Sequence, residues 1–326
     1  MTENNSAGQA PVSEVAIDIE APIDLDAKIY SQGQLVRRRF FRHKAAMISL
    51  VILVAIALLA FTSIGIGPIP GWWDKSFAKA GAIVNGGKPT LQMFPFSLGE
   101  HPFGQESTGK DYFAMVMRGT QISLMVAFTV GLGSTLIGTV IGAAAGYFRG
   151  WVETILMRMT DLVIVIPLLV LAAVLGQIAS DWGVYGLALM LCLVTWTGLA
   201  RLVRGEVLSL REREFVASAR AIGTGSGRII FKHILPNTIG VIIVSATLSI
   251  ASAILLETSL SYLGMGIQPP DISLGSLISD YQNAFATRPW LFWFPGMMIL
   301  IIALSINFIG DGLRDAFDPR QNRSKA

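Results

Sequence analysis

Residues 119–148 read GTQISLMVAFTVGLGSTLIGTVIGAAAGYF, without a charge from Gly119 to Phe148 and closed by Arg118 and Arg149. A helix crossing the hydrocarbon core needs about 20 apolar residues, because backbone groups left unpaired there find no water. This stretch meets that length, and five others do too. Ala45–Ile64 carries no charge. Leu162–Ser180 lies between Asp161 and Asp181, and Trp182–Ala200 follows it and ends at Arg201. The uncharged run His233–Leu256 places a span at about 237–263, and Pro289–Gly310 lies between Arg288 and Asp311. The expected spans are 45–64, 119–148, 162–180, 182–200, 237–263 and 289–310, and the expected fold class is an all-α integral membrane bundle of six transmembrane helices. The third and fourth runs meet tightly through Gln177, Asp181, Trp182 and Gly183. A single helix there would be about twice as long as a bilayer needs.

Composition agrees. Of 326 residues, 52% are hydrophobic and 14% charged, with a mean hydropathy of +0.58. A soluble domain carries roughly 25% charged residues, so this chain presents apolar surface to something other than water, a lipid bilayer. A net charge of +3 is too small to argue for nucleic acid. The single cysteine, Cys192, sits in an apolar run, as a small apolar residue does, and excludes an internal disulfide. His43, His101 and His233 are far apart in the chain, and no metal-ligand or nucleophile–base spacing is visible.

Residues 1–34 hold Glu3, Glu14, Asp18, Glu20, Asp24 and Asp26 against one cation, Lys28. Such a stretch buries too little apolar area to fold alone and is expected to be a disordered tail. It lacks the basic-then-apolar opening of a cleavable signal, so the first span reads as an uncleaved anchor. A basic juxtamembrane segment, 35–44, carries Arg37, Arg38, Arg39, Arg42 and Lys44. The loop after the fourth span carries Arg201, Arg204, Arg211, Arg213, Arg220, Arg228 and Lys232. The C-terminal end carries Arg314, Arg320, Arg323 and Lys325, the last six residues, 321–326, forming a short tail. Six spans put these three regions on one side, and the excess of Lys and Arg makes that side the cytoplasm. Both termini are then cytoplasmic, and the loops 65–118 and about 264–288 lie outside. Trp72, Trp73, Trp182, Trp290 and Trp293 fall near the outer boundaries, as an aromatic belt does.

Ser134, Gly138, Gly142 and Gly146 recur every four residues in the second span. This small-xxx-small ladder lets another helix approach closely in lipid, either within the chain or from a partner subunit. The loop 201–236 is the other informative region. Its part Arg211–Asn237 reads REREFVASARAIGTGSGRIIFKHILPN. Phe215, Ala219 and Ile222 fall at helical spacing, Gly223, Gly225 and Gly227 break the helix, and Ile229, Ile230 and Phe231 resume an apolar face before Leu235-Pro236. The pattern is a short helix, a sharp turn and a second helix entering a span. It suits a segment that docks on a soluble partner, and equally a helix lying in the headgroups.

That stretch resembles the loop shared by permease subunits of ATP-binding-cassette importers, a Glu-Ala-Ala, three residues, a Gly and a closing Leu-Pro. Ser218 and Ala219 match the two Ala positions, Gly223 the Gly, and Leu235-Pro236 the closing pair. Ala217 stands where the family has Glu, with Glu214 three residues earlier. HPFGQESTGKDYFAMVMRGTQISL (101–124), ETSLSYLGMGIQPPDISLGSLI (257–278) and GDGLRDAFDPR (310–320) are similar to segments of the C-type permease of oligopeptide and dipeptide importers. The resemblance covers roughly 35–320. It implies a type I importer permease with a coupling helix on which ATPase motion is received by Glu214, Phe215, Ala217, Ser218, Ala219, Arg220, Ala221, Ile222 and Gly223, with Leu235 and Pro236 closing the loop. It also implies a second (B-type) permease, two ATPase subunits holding ATP and Mg, and an extracytoplasmic peptide-binding protein, all at a bacterial cytoplasmic membrane. The chain itself is expected to hold no cofactor, metal or catalytic site. Nickel and glutathione, carried by related permeases, stand as alternative cargoes, and the atypical outer loop around 71–96 is left without a role.

Gly104–Asp111, GQESTGKD, nearly spells a phosphate-binding loop, but that motif needs Ser or Thr after the Lys, where Asp111 stands. It reads as a turn into the second span. A membrane enzyme built on this loop or on Glu257 is therefore the weaker class. Glu257 lies late in the fifth span, where an acid is costly and faces a cavity, a partner or a hydrogen-bonding neighbour. It is a candidate for the pathway or gate, with a structural hydrogen bond to a neighbouring helix or partner as the favoured reading. Asp161 is expected to pair locally with Arg158, and Asp311, Arg314 and Asp315 to brace the coupling loop.

Overall fold

The structure is a computed structural model that describes residues 32–92, 94, 97–179 and 182–318. Helix α1 (Gln32–Arg42) stops at His43, whose Nδ1 accepts from the Ala46 amide at 3.1 Å and starts α2 (Lys44–Ser63). A two-residue hairpin, β1 (Gly65–Ile66) with β2 (Ile69–Pro70), follows. The chain to residue 111 is irregular but tied down. Gln105 bonds the Val84 amide and the carbonyls of Ala82 and Gly109 at 2.7–3.0 Å. Asp111 then caps α3 (Tyr112–Phe148), accepting from the Ala114 amide at 2.7 Å. The Gly104–Asp111 segment is thus a turn leading into a helix.

Arg149 turns the chain into α4 (Gly150–Val165), followed by α5 (Leu168–Ile178), α6 (Gly183–Thr195) and α7 (Thr197–Arg211). Short helices α8 (Glu214–Ala221) and α9 (Ser226–Ile229) lead through a π-helical turn at Ile230–Ile234 into α10 (Leu235–Tyr262). Pro236 explains that turn, since it offers no N–H to the preceding helix and its ring displaces the carbonyl four residues back. Then come α11 (Leu274–Tyr281) and α12 (Trp290–Phe317). Among the described residues, four helices are long and apolar enough to cross a membrane, or up to six if each bent pair counts as one span.

α3 is the axle, packed along α2, α6, α7 and α10. The larger core lies among α2, α3, α6, α10, α11 and α12. A smaller one, around Val203, Val207, Val216, Ile229 and Ile234, sits at the end rich in Arg. The ladder in α3 faces this chain's own α7. A Cβ on Gly138, Gly142 or Gly146 would lie 2.4–2.8 Å from the carbonyl oxygens of Trp196, Ala200 and Arg204. Two repeats of four therefore mesh, and the close approach is internal.

Several expected boundaries move. The second span begins at Tyr112 rather than 119, because the Asp111 cap starts the helix before its apolar run. The third, expected as one helix over 162–180, is two, bent by 91° at Ile166–Pro167. Proline removes an N–H and holds the residue before it extended, and Ile166 is extended, with ψ at 129°. The helix also starts at Gly150, because its charges find partners. Asp161 pairs at 2.5 Å with Arg201, not with Arg158, and Glu153 pairs with Arg204. The fourth span, 182–200, bends by 42° at Trp196 and runs on to Arg211, so residues 201–211 of the expected loop are helix. The sixth runs past Asp311 to Phe317.

The C-terminal charges brace a different element from the expected one. Asp315 lies 3.4 Å from His43, and Arg39 donates to the Asp318 carbonyl at 3.0 Å, so α12 holds α1 and the start of α2. The expected tails fall on residues 1–31 and 321–326, outside those described. Residues 32–34, expected in the tail, already form the start of α1.

Candidate functional site

Residues 211–236 build a hairpin across the Arg-rich end of the bundle. α8 turns only two of its side chains inward, Val216 and Ala219, which join Val203, Val207, Tyr147 and Ile229 in the smaller core. Glu214 occupies the first turn, where a carboxylate complements the helix dipole. At the other end Gly223 takes a φ of +80°, and the Thr224 amide bonds the Ala219 carbonyl at 3.1 Å. An L side chain adopts that left-handed backbone only with strain, which is why a glycine stops α8 here.

Tyr147, at the end of α3, is the seat of the hairpin. Arg211 donates to its carbonyl at 2.5 Å, and the guanidinium groups of Arg211 and Arg220 stand 5.7 and 6.0 Å from its ring centre. Such cation–π contacts add about 0.5–1 kcal/mol each at exposed sites. The hairpin is therefore joined to the central helix itself.

Its outer face is open. Phe215 is 42% exposed, Ile222 83% and Phe231 71%. Glu214, Ala217, Ser218, Arg220, Ala221 and Gly223 are exposed as well, while Leu235, which begins α10, is half-buried and Pro236 beside it is exposed. The expected stripe Phe215–Ala219–Ile222 divides in space, since Ala219 points into the core and the two larger residues point away from it. Glu214 lies one turn from Ala217, near enough on the helix to share its face. The hairpin thus gathers the expected residues from Glu214 to Gly223 and leaves Leu235-Pro236 at its far end. Sequence reasoning missed Tyr147, whose distance of 64 residues from Arg211 leaves no local signal.

Glu257 is in a separate place and fully buried. Its carboxylate accepts from Ser123 of α3 at 3.1 Å and from Ser261 at 2.7 Å. Ser273 donates to Ser261 at 3.2 Å, and the Leu274 amide donates to Ser123 at 3.2 Å. Ser273 also caps α11. One acid therefore ties α3, α10 and the start of α11 together, in the contacts that a structural role requires.

Two other polar clusters lie at the end away from the arginines. Asp111 accepts from Trp73 Nε1 at 3.1 Å and lies 2.7 Å from His101, which pins the irregular chain to the α3 cap. Burial pushes the Glu106 carboxyl up, but bonds from Thr108, Ser107 and the Lys110 amide region outweigh it and leave it below its ordinary value. Of the five tryptophans expected at a boundary, Trp72, Trp182 and Trp293 are exposed, whereas Trp73 and Trp290 are partly buried.

The family described as "Binding-protein-dependent transport system inner membrane component" matches residues 138–323, and "N-terminal TM domain of oligopeptide transport permease C" matches residues 31–70. The chain is 39% identical to the oligopeptide transport system permease protein OppC of Mycobacterium tuberculosis, covering 89% of this chain and 95% of that one. It is 38% identical to a putative peptide permease protein of Brucella suis, covering 89% and 92%. With OppC of Haemophilus influenzae it shares 35% identity over 95% and 94%. Among solved structures it resembles a chain of the inward-facing MetNI methionine ABC transporter, with a TM-score of 0.52 and 18% identity, covering 63% of this chain and 97% of that one. That likeness concerns the fold.

Proposed function

Because this chain belongs to the family of binding-protein-dependent transport system inner membrane components, with the fold of a type I ABC importer permease, we propose that it forms half of the channel of a peptide importer. A second permease packs beside it, two ATPase subunits that bind ATP and Mg dock beneath it, and an extracytoplasmic binding protein delivers oligopeptides or dipeptides. Both termini and the α8 hairpin face the bacterial cytoplasm, and the cargo moves inward. The chain contributes no catalytic group of its own.

One observation carries this reading. The hairpin exposes Phe215 and Ile222 on a backing that is buried and bonded to α3. Exposed apolar side chains on a rigid mount suit a groove in a soluble partner. A push on the mount reaches the central helix through Tyr147, so closure of the ATPases becomes motion of the channel wall. A helix that merely floated in headgroups would not need that mount.

The test is uptake by the complete complex in proteoliposomes, with Gly223→Ile as the variant. Strain at the left-handed position misplaces the tip. ATP hydrolysis is expected to persist while peptide uptake is lost. Unchanged uptake would overturn the coupling role. Lys110→Ala is expected to leave hydrolysis untouched, and a loss there would favour the enzyme reading.

A further inference from the structure

Apart from Ser261, which bonds Glu257, the serine and threonine hydroxyls of helix α10 are of two kinds. Thr247, Thr258 and Ser259 each donate to a carbonyl one turn back at 2.8 Å, the usual way such side chains are satisfied in an apolar helix. Ser245, Ser249 and Ser252 make no side-chain hydrogen bond among the described residues. Their spacing of four and three sets them in one stripe. That stripe forms a wall of a cleft of about 560 Å³.

The other walls are the two places where the helices break. One is the Ile166–Pro167–Leu168 corner between α4 and α5, and the other is the bend between α6 and α7, which brings in Thr195 and Thr197. Thr195 bonds the Leu191 carbonyl at 2.8 Å. Thr197 is only 8% exposed, and its hydroxyl has no hydrogen-bond partner among the described residues. At the corner the first amides of α5 lack helical carbonyls to bond, as at any helix start. Open backbone at membrane depth persists only where it is buried in protein or lines a polar cavity. In secondary transporters, too, interrupted helices line the place where cargo is held. No charged residue lines the cleft.

We propose that this cleft holds the main chain of a peptide in transit, with its amides exchanging hydrogen bonds with the hydroxyls of Ser245, Ser249, Ser252 and Thr197. The proposal rests on the peptide-importer reading and adds to it where the cargo sits and how it is read. An acyl chain offers these hydroxyls nothing, and a packed helix has already spent its backbone bonds internally. A peptide's extended main chain offers donors and acceptors at every residue. Neutral hydroxyls do not distinguish side chains or termini, so these four read only what all peptides share, while Val163, Ile164, Leu202 and Leu248 give the cleft an otherwise apolar wall. Its volume is within the usual range for ligand sites, about 300–1,000 Å³.

The experiment uses the complete complex in proteoliposomes, supplied with a casein digest and ATP, with the peptides in the lumen read by mass spectrometry. The Ser245→Ala/Ser249→Ala/Ser252→Ala variant is expected to lower uptake about tenfold, as loss of a few neutral hydrogen bonds does. The loss should be equal for acidic, basic and apolar peptides, with ATP hydrolysis unchanged. Uptake within twofold of the unaltered complex would overturn the proposal. So would a loss confined to peptides of one side-chain type. A second variant guards against misassembly, Ser249→Cys in a Cys192→Ala background. Its thiol should react with a water-soluble methanethiosulfonate, more slowly when peptide is trapped in the complex. A thiol that does not react, as under a covering partner helix, would equally overturn it. If the unaltered complex takes up no peptide at all, the importer reading fails instead.

Discussion

α3 and the pair α4–α5 are drawn from similarly apolar sequence, yet one runs unbroken for 37 residues and the other turns through 91°. In α3 the small residues face a partner helix along its length and nothing interrupts the backbone. In α4–α5 a proline opens the backbone, and exposed Trp151, Leu162 and Val165 leave much of α4 uncovered. Apolar length thus sets membrane depth, while the placement of a few small residues and one proline decides which segment is a strut and which a hinged wall.

The comparison breaks most completely at Gly142. A Cβ there would already stand 2.4 Å from the Ala200 carbonyl oxygen. Gly142→Leu forces α3 and α7 apart along their whole contact and should cost about 3 kcal/mol. The expected outcome is protein that no longer assembles, measured as loss of a single peak in detergent gel filtration. Normal assembly would mean that the ladder is not a tight contact.

Next in size is Glu257→Ala. It leaves the hydroxyls of Ser123 and Ser261 buried without their acceptor, at about 2 kcal/mol. Glu257→Gln keeps one acceptor oxygen and should cost about half as much. Thermal unfolding of the purified complex orders the two, and a pathway acid without a structural role would show equal melting for both with uptake changed.

Pro167→Ala sharpens the contrast from the other side, since it restores the N–H that α4–α5 lack. Spin labels at exposed Ile155 and Val174 would lie about 29 Å apart on a straight helix and closer across the bend. The variant is expected to lengthen the distance and reduce uptake several-fold, with stability changed by less than about 1 kcal/mol. An unchanged distance would show that packing, not the proline, holds the corner.

These contrasts were unevenly legible. Six apolar runs were plain because desolvation of backbone acts along the chain, and the Gly223 turn was plain because it is local. The corner was legible in principle, since Pro167 stood inside the third run, but a window that scores apolarity alone passes over it. The serine network around Glu257 was not legible, because Ser123 and Ser273 come from other elements. Nor was the seat at Tyr147, for the same reason. The charges of α4 misled more directly. Asp161 reads as the end of a span along the chain, whereas in space it is paired with Arg201, as Glu153 is with Arg204.

That pairing gives the smallest effect and a clean discrimination. Asp161 and Arg201 are each nearly half exposed, at 43% and 47%, so solvent screens them despite their 2.5 Å contact. A double-mutant cycle on Asp161→Ala and Arg201→Ala should return about 0.5 kcal/mol, and less in high salt. Glu153 and Arg204 are less exposed, at 20% and 35%, and their cycle should return somewhat more, toward about 1 kcal/mol. If Asp161 instead pairs within its own helix, the coupling would move to Arg158→Ala and vanish for Arg201→Ala. α4 would then be held to α7 by the Glu153 pair alone, and the hinged wall would be freer at its Asp161 end than the strut beside it.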